Sequence, residues 1–311
     1  MALGALVSAV GLVVDDRILV GAPIWAKPFK FSLSFTAYGL TLAWMLAQTT
    51  WGRRTGWWAG NVVVLTALVE MVIIIGQVIR GKRSHFNAET AFDANLYTVM
   101  GLTVVALWAA TLVISVLLLR TRLADRATAW AIRGGVLIAL VGAGLGFLMA
   151  QPTAEQRAAG DLDTADVIGA HSVGVPDGGP SMPLTGWSTT GGDLRIPHFV
   201  GMHALQLIPL FLIALVLLAP RITRLRDAEL RLRLVRVVMA GYAGMVALTT
   251  WQALRGQPLI HPDAATLIAA GVLLTAAAAG VWAALRTAPA PDPVSAPTPT
   301  EPASESKEFT A

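Results

Sequence analysis

Three stretches of this sequence carry residue types that could do chemistry, the third being Asp15 to Ser34 with Lys27 and Lys30. The first, EMVIIIGQVIRGKRSHFNAETAFDAN, runs from Glu70 to Asn95. Glu70 and Gln77 are seven residues apart, which places them on one face of a helix, with Arg80 close to one turn further on. Glu70 falls inside an apolar run, where a carboxyl group needs a partner. Arg80 is about 15 Å along the helix axis and too far to supply it. A neutral carboxyl bonded to a neighbouring helix, a bound ion and a proton site all remain open. His85 and Asp93 follow, so Glu70, Gln77, Arg80, His85 and Asp93 form one set of catalytic candidates.

The second stretch, DLRIPHFVGMHALQLIP, runs from Asp193 to Pro209. His203 and Gln206 share a helix face, whereas His198 and His203 stand about 140° apart around a regular helix. Pro197 places His198 at a helix start, where an irregular backbone could turn it toward His203. Imidazoles suit zinc, iron or copper, so His85, His198 and His203 are the candidate metal ligands. Zinc would bring hydrolysis by an activated water, and haem would bring electron transfer through axial histidines. His171, Asp193, Arg195 and Gln206 are candidates for holding a cofactor or ligand. Two separately bonded histidines account for the same spacing without any metal.

These residues must be positioned inside a membrane. The chain has 311 residues, of which 55% are hydrophobic and 14% charged, and its mean hydropathy is +0.64. A soluble domain carries about 25% charged residues. Apolar blocks run from Leu3 to Val14, Phe31 to Ala47, Trp57 to Ile79, Leu96 to Leu119, Ala129 to Met149, His198 to Leu218, Val235 to Leu254 and Ala264 to Leu285. The pattern predicts an all-α polytopic transmembrane bundle of seven or eight spans. The first block is the doubtful one, at roughly 18 Å against a hydrocarbon core of about 30 Å. With no cysteines, disulfides, thiolate metal sites and cysteine nucleophiles are excluded.

Lysine and arginine divide unequally between the two sides of this layout, fourteen on the side that holds Arg120 to Arg133 and Arg221 to Arg236 against nine on the other. By the positive-inside rule the richer side is cytoplasmic, with the C-terminus on it. The basic residues lie in short clusters beside apolar segments, so the bilayer rather than nucleic acid is the expected partner. All five histidines fall on the outer half. Residues 1–286 are expected to form the membrane domain, in a bacterial plasma membrane, and 287–311 a disordered cytoplasmic tail.

The outer connection 151–197 is too long for a simple link. Its second half combines Gly178, Gly179, Gly191 and Gly192 with Pro176, Pro180, Pro183 and Trp187, a composition that suits a folded lid better than a tether. Pro28 and Gly21 are expected to interrupt any helix between Asp15 and Ser34. Lys27 and Lys30 there read either as snorkelling side chains or as holders of an anionic group.

The segments WAKPFKFSLS, RGKRSHFN and HSVGVPDGGPSMPLTGWSTTGGDLRIPHFVGMHALQ resemble the recurring patterns of a bacterial family of multi-pass membrane proteins without an established activity. The resemblance implies a shared fold and an outer-face site, with no cofactor or catalytic residue attached. A second comparison, with seven-span zinc-dependent lipid amidases of the alkaline ceramidase type, is one of parts. Ser84, His85, Asp93, His198 and His203 supply the residue types, but the paired histidines are five apart rather than four and lie on the sixth block instead of the last.

Overall fold

The computed structural model describes residues 1–162 and 164–286. Eight helices of thirteen residues or more make up the bundle: α1 (Ala2–Val14), α2 (Ala26–Ala47), α3 (Arg53–Arg80), α4 (Ala91–Arg120), α5 (Arg126–Met149), α7 (Arg195–Leu218), α8 (Ala228–Leu254) and α9 (Ala264–Arg286). A single turn, α6 (Ala154–Ala158), a 3-10 turn at Thr223–Arg226, a short hairpin, β1–β2 (Ile18–Leu19 with Ala22–Pro23), and an antiparallel pair, β3–β4 (Ser172–Val173 with Gly192–Asp193), lie between them.

Local chemistry sets the helix ends. Gly81, at φ +70°, terminates α3, and the N–H of Lys82 reaches back to the Gln77 carbonyl at 2.9 Å. Thr90, Asp125 and Asp227 cap the starts of α4, α5 and α8 with side-chain oxygens. Pro28 does not interrupt α2 as expected. It is the third residue of the helix, where no intrahelical donor is required of it, and the chain turns instead at Gly21, φ +73°.

Among the described residues six helices, α3, α4, α5, α7, α8 and α9, are long and apolar enough to cross a membrane, fewer than the seven or eight expected. α1 is short. α2 has the length, but Lys27, Lys30, Ser32, Ser34, Thr36 and Thr41 dilute its apolar character. Large apolar side chains cover the outside of the bundle: Leu65, Leu217 and Leu274 are each 64–70% exposed. Water would not tolerate such a surface, and hydrocarbon would. The expected tail, 287–311, lies outside the described residues.

The tightest packing is between α5 and α7. A Cβ on Gly142 would meet the Gly201 carbonyl carbon at 2.4 Å, and one on Gly201 would meet Gly142 Cα at 2.5 Å. Two glycines thus let the backbones touch, the usual way membrane helices gain van der Waals contact. Further toward the arginine-rich end, Leu42, Met45, Val63, Ile114, Leu118 and Ile132 fill the space between α2, α3, α4 and α5.

Candidate functional site

At the other end of the bundle the connections fold over the helix tips. The turn after α3 pairs with the connection after α5: Ala88 N–H donates to Asp166 O at 2.9 Å and Ile168 N–H to Phe86 O at 3.1 Å. Asp177 accepts from the backbone N–H groups of His171 and Ser172 at 3.0 and 2.9 Å, and faces the His171 ring at 3.0 Å. Further on, Ser181 and Ser188 form a bridge, and Arg195 ties the tip down through Gly186 O at 2.6 Å and Asp193 Oδ2 at 2.5 Å. Lys30 Nζ donates to Thr185 O at 3.0 Å. Gly192 leaves no room above α8, since a Cβ there would lie 1.9 Å from Ala253 O. Trp187 is half-buried, whereas Leu184 stands at the tip with φ +66° and 95% exposure.

Beneath this cover lie the aromatic and imidazole rings. Phe86 is buried at φ +61°, a costly conformation for a bulky residue, and its ring centroid is 4.8 Å from that of His171, 5.8 Å from Tyr97 and 6.1 Å from His85. His85 also meets Phe31 of α2 edge-on at 5.9 Å, and Ser84 Oγ lies 3.2 Å from its Nδ1. Burial, reinforced by the charges of Lys27, His171 and His198, pushes the His85 imidazole well below its ordinary pKa, so it is neutral near pH 7. Burial also lowers His171, against the pull of Asp177. Burial would raise Asp177, but its hydrogen bonds with His171 prevail and hold the carboxyl well below the usual carboxylate range.

Glu70 sits deeper, ten residues before the end of α3. It is 1% exposed; Thr103 on α4 donates to its Oε1 at 2.5 Å, and its buried Oε2 has no hydrogen-bond partner. Lys27 at the start of α2 is near enough for its charge to act on Glu70, His85 and His171. Buried hydroxyls on Ser8 of α1 and Ser32 of α2 also lack partners. Ser32 Oγ and the Met71 methyl both come within 4 Å of where a Gly4 Cβ would be, which places Ser32 close to the Glu70 level of the bundle.

The remaining candidates separate from this centre. Gln77, Arg80 and Asp93 bind one another: Asp93 Oδ1 accepts from Arg80 at 2.6 Å and from Gln77 at 2.8 Å, and Oδ2 from Thr90 at 2.7 Å. Arg80 also stacks over Phe92. Such a closed network joins α3 to α4 and leaves Asp93 little capacity for a ligand. Asp193 and Arg195 likewise engage each other and the cover. His198 Nδ1 lies 2.8 Å from Gly142 O, its ring packed on Gly146 of α5. His203 Nδ1 faces Gln206 Oε1 at 3.4 Å, and among the described residues no hydrogen bond or ring contact joins His203 to Glu70, Gln77 or His85.

The metal expectation therefore finds no support. Among the described residues no group of three or more His, Asp and Glu side chains could hold an ion, and His85, His198 and His203 have separate partners. The 140° separation on α7 persists because the helix is regular there. Thr103, Ser8, Ser32 and Tyr97 escaped sequence reasoning, since nothing in a hydroxyl or aromatic residue of a helix says which neighbour it will face, and Phe86 did because a single aromatic in a polar turn carries no periodicity.

No protein-family model matches the chain, and no similar curated protein or solved structure was found. Function is therefore read from the residues alone.

Proposed function

We propose that this is a plasma-membrane protein of seven or eight spans, C-terminus cytoplasmic, that takes a small polar ligand from the outer side into a capped, dead-end pocket. The fourteen-to-nine division of basic residues supports this orientation. Glu70 forms the floor, Lys27 and the imidazoles of His85 and His171 the walls, and residues 166–195 the lid. One observation carries the reading: a buried oxygen of the Glu70 carboxyl without a hydrogen-bond partner. An ionisable group at that depth is costly and is ordinarily kept for binding or proton transfer. A carboxyl and a neutral imidazole could exchange protons with a bound ligand, so acid–base chemistry on it is within the pocket's means.

A transporter that binds protons or cations at Glu70 would use the same residues. The packing favours a dead end, because the apolar cluster of Leu42, Met45, Val63 and Ile114 lies on the inner side and the hydroxyls there are turned onto helix carbonyls, as with Thr66 to Val62 and Ser115 to Thr111.

The natural chain has no cysteine, so single-cysteine variants report without background. His85→Cys and Thr103→Cys are expected to react with a membrane-impermeant thiosulfonate added outside intact cells, and to resist it in inside-out vesicles. Reaction from the inner side would replace the dead end with a through-path, and absence of reaction from either side would remove the pocket.

A further inference from the structure

At the arginine-rich end, an apolar crevice opens sideways between α2, α5 and α7. Trp44, Ile132, Leu212, Ile213, Val216 and Leu217 line it, around roughly 480 Å³ of space free of protein atoms, counting the part open to the surroundings. Its position follows from the helix ends. Leu217 is the penultimate residue of α7, and Trp44 stands three residues before the end of α2. Thr128, another lining residue, is the third of α5, and Pro209, at the far end of the crevice, is nine residues before Leu218, about 13 Å up the axis. Pro209 has no N–H to return to the Leu205 carbonyl, which weakens the regular packing of α7 at that level.

The mouth is basic. Arg126 opens α5 two residues before Thr128, and Arg221 follows α7 by three residues. Arg126 is 71% exposed and meets Glu229 at 3.4 Å, a carboxylate it shares with Arg233 at 3.6 Å. Arg221 is exposed, and among the described residues its side chain has no hydrogen-bond or ion-pair partner. Of the nearby acids, Asp125 accepts from the Thr128 N–H and hydroxyl, and Asp227 accepts from the Glu229 N–H through Oδ1 while its buried Oδ2 has no partner. Across 120–133 and 221–236 ten arginines stand against three acids, so positive charge is left over at this end of the bundle.

We propose that the crevice holds one anionic phospholipid of the inner leaflet, an acyl chain lying along α7 and the phosphate headgroup on Arg126 and Arg221. Any lipid could lend a chain to an apolar slot; the excess of arginine over acid at this end selects a negative headgroup. The proposal rests on the membrane setting of the bundle and on the orientation proposed above, and not on the pocket at the opposite end.

Native mass spectrometry of the detergent-purified full chain tests it, with phosphatidylglycerol and phosphatidylcholine of identical chains as probes. Phosphatidylglycerol is expected to be retained at least about tenfold better, from about fivefold per arginine. Arg126→Gln with Arg221→Gln should bring the two lipids within about twofold, and Val216→Trp, which fills the crevice, should remove one bound lipid of either kind. Equal retention of the two lipids by the unaltered protein, which needs no variant to fold, would overturn the proposal. Displacement of phosphatidylglycerol by soluble glycerol phosphate would do the same, reducing the feature to an anion site with no role for the chain.

Discussion

Thr103 on α4 donates its hydroxyl to Oε1 of Glu70 on α3 at 2.5 Å, and the second oxygen of that carboxylate stays buried without a donor. The same hydroxyl lies 2.9 Å from the Met100 carbonyl, so Thr103 is paired whether or not Glu70 is there.

Replacing Glu70 by Leu is therefore expected to raise stability, by about 1–2 kcal/mol, since an incompletely paired buried group is exchanged for an apolar one. Thermal unfolding in detergent checks the direction. A fall in Tm would mean that Glu70 serves packing rather than a ligand.

Asp93 should behave in the opposite way. Its carboxylate is completely buried and receives Arg80, Gln77 and Thr90, so Asp93→Ala strands three donors at the α3–α4 junction. A loss of about 2–3 kcal/mol is expected, with Arg80 contributing least because it is partly open to solvent. Asp93→Asn should recover part of the loss, read as an intermediate Tm.

Acid should loosen the cover. His85 and His171 have folded pKa values depressed below the unfolded imidazole value of about 6.5. Their neutral forms therefore bring no penalty above that pH, and stability falls as pH drops below it, by up to about 1.4 kcal/mol per pH unit for each group. Asp177 is also depressed, so its contribution is present above the unfolded carboxyl value of about 4 and is lost only below it. Asp177 adds nothing between pH 7 and 5. His85→Gln should make the decline in Tm over that interval shallower, and an unchanged slope would count against burial of His85.

Gly142→Ala places a methyl group against the Gly201 backbone and is expected to cost about 3 kcal/mol or to prevent assembly. Gly76→Ala, where no atom outside the local helix backbone lies within 4 Å of the added carbon, is the control and should leave Tm unchanged or slightly higher. Equal effects would show that α5 and α7 do not touch along their backbones.

Composition and block length alone determined that the chain is helical and apolar enough for a bilayer, because a membrane span must satisfy its own backbone and present hydrocarbon over about 20 residues. Helix phase correctly grouped Gln77 with Arg80, and His203 with Gln206, since those are relations within one helix. Relations between helices were not legible. Sequence periodicity could place Glu70 on the Gln77 face, but not say that Thr103 would meet one of its oxygens, that Asp93 would occupy Gln77 and Arg80, or that His198 would turn to Gly142. These depend on which faces come together, and in a chain apolar on all sides many residues could serve as the contact face. The choice was made by close packing at glycines such as Gly142 and Gly201 and by polar groups that found partners across helices, and both exist only once the bundle has assembled.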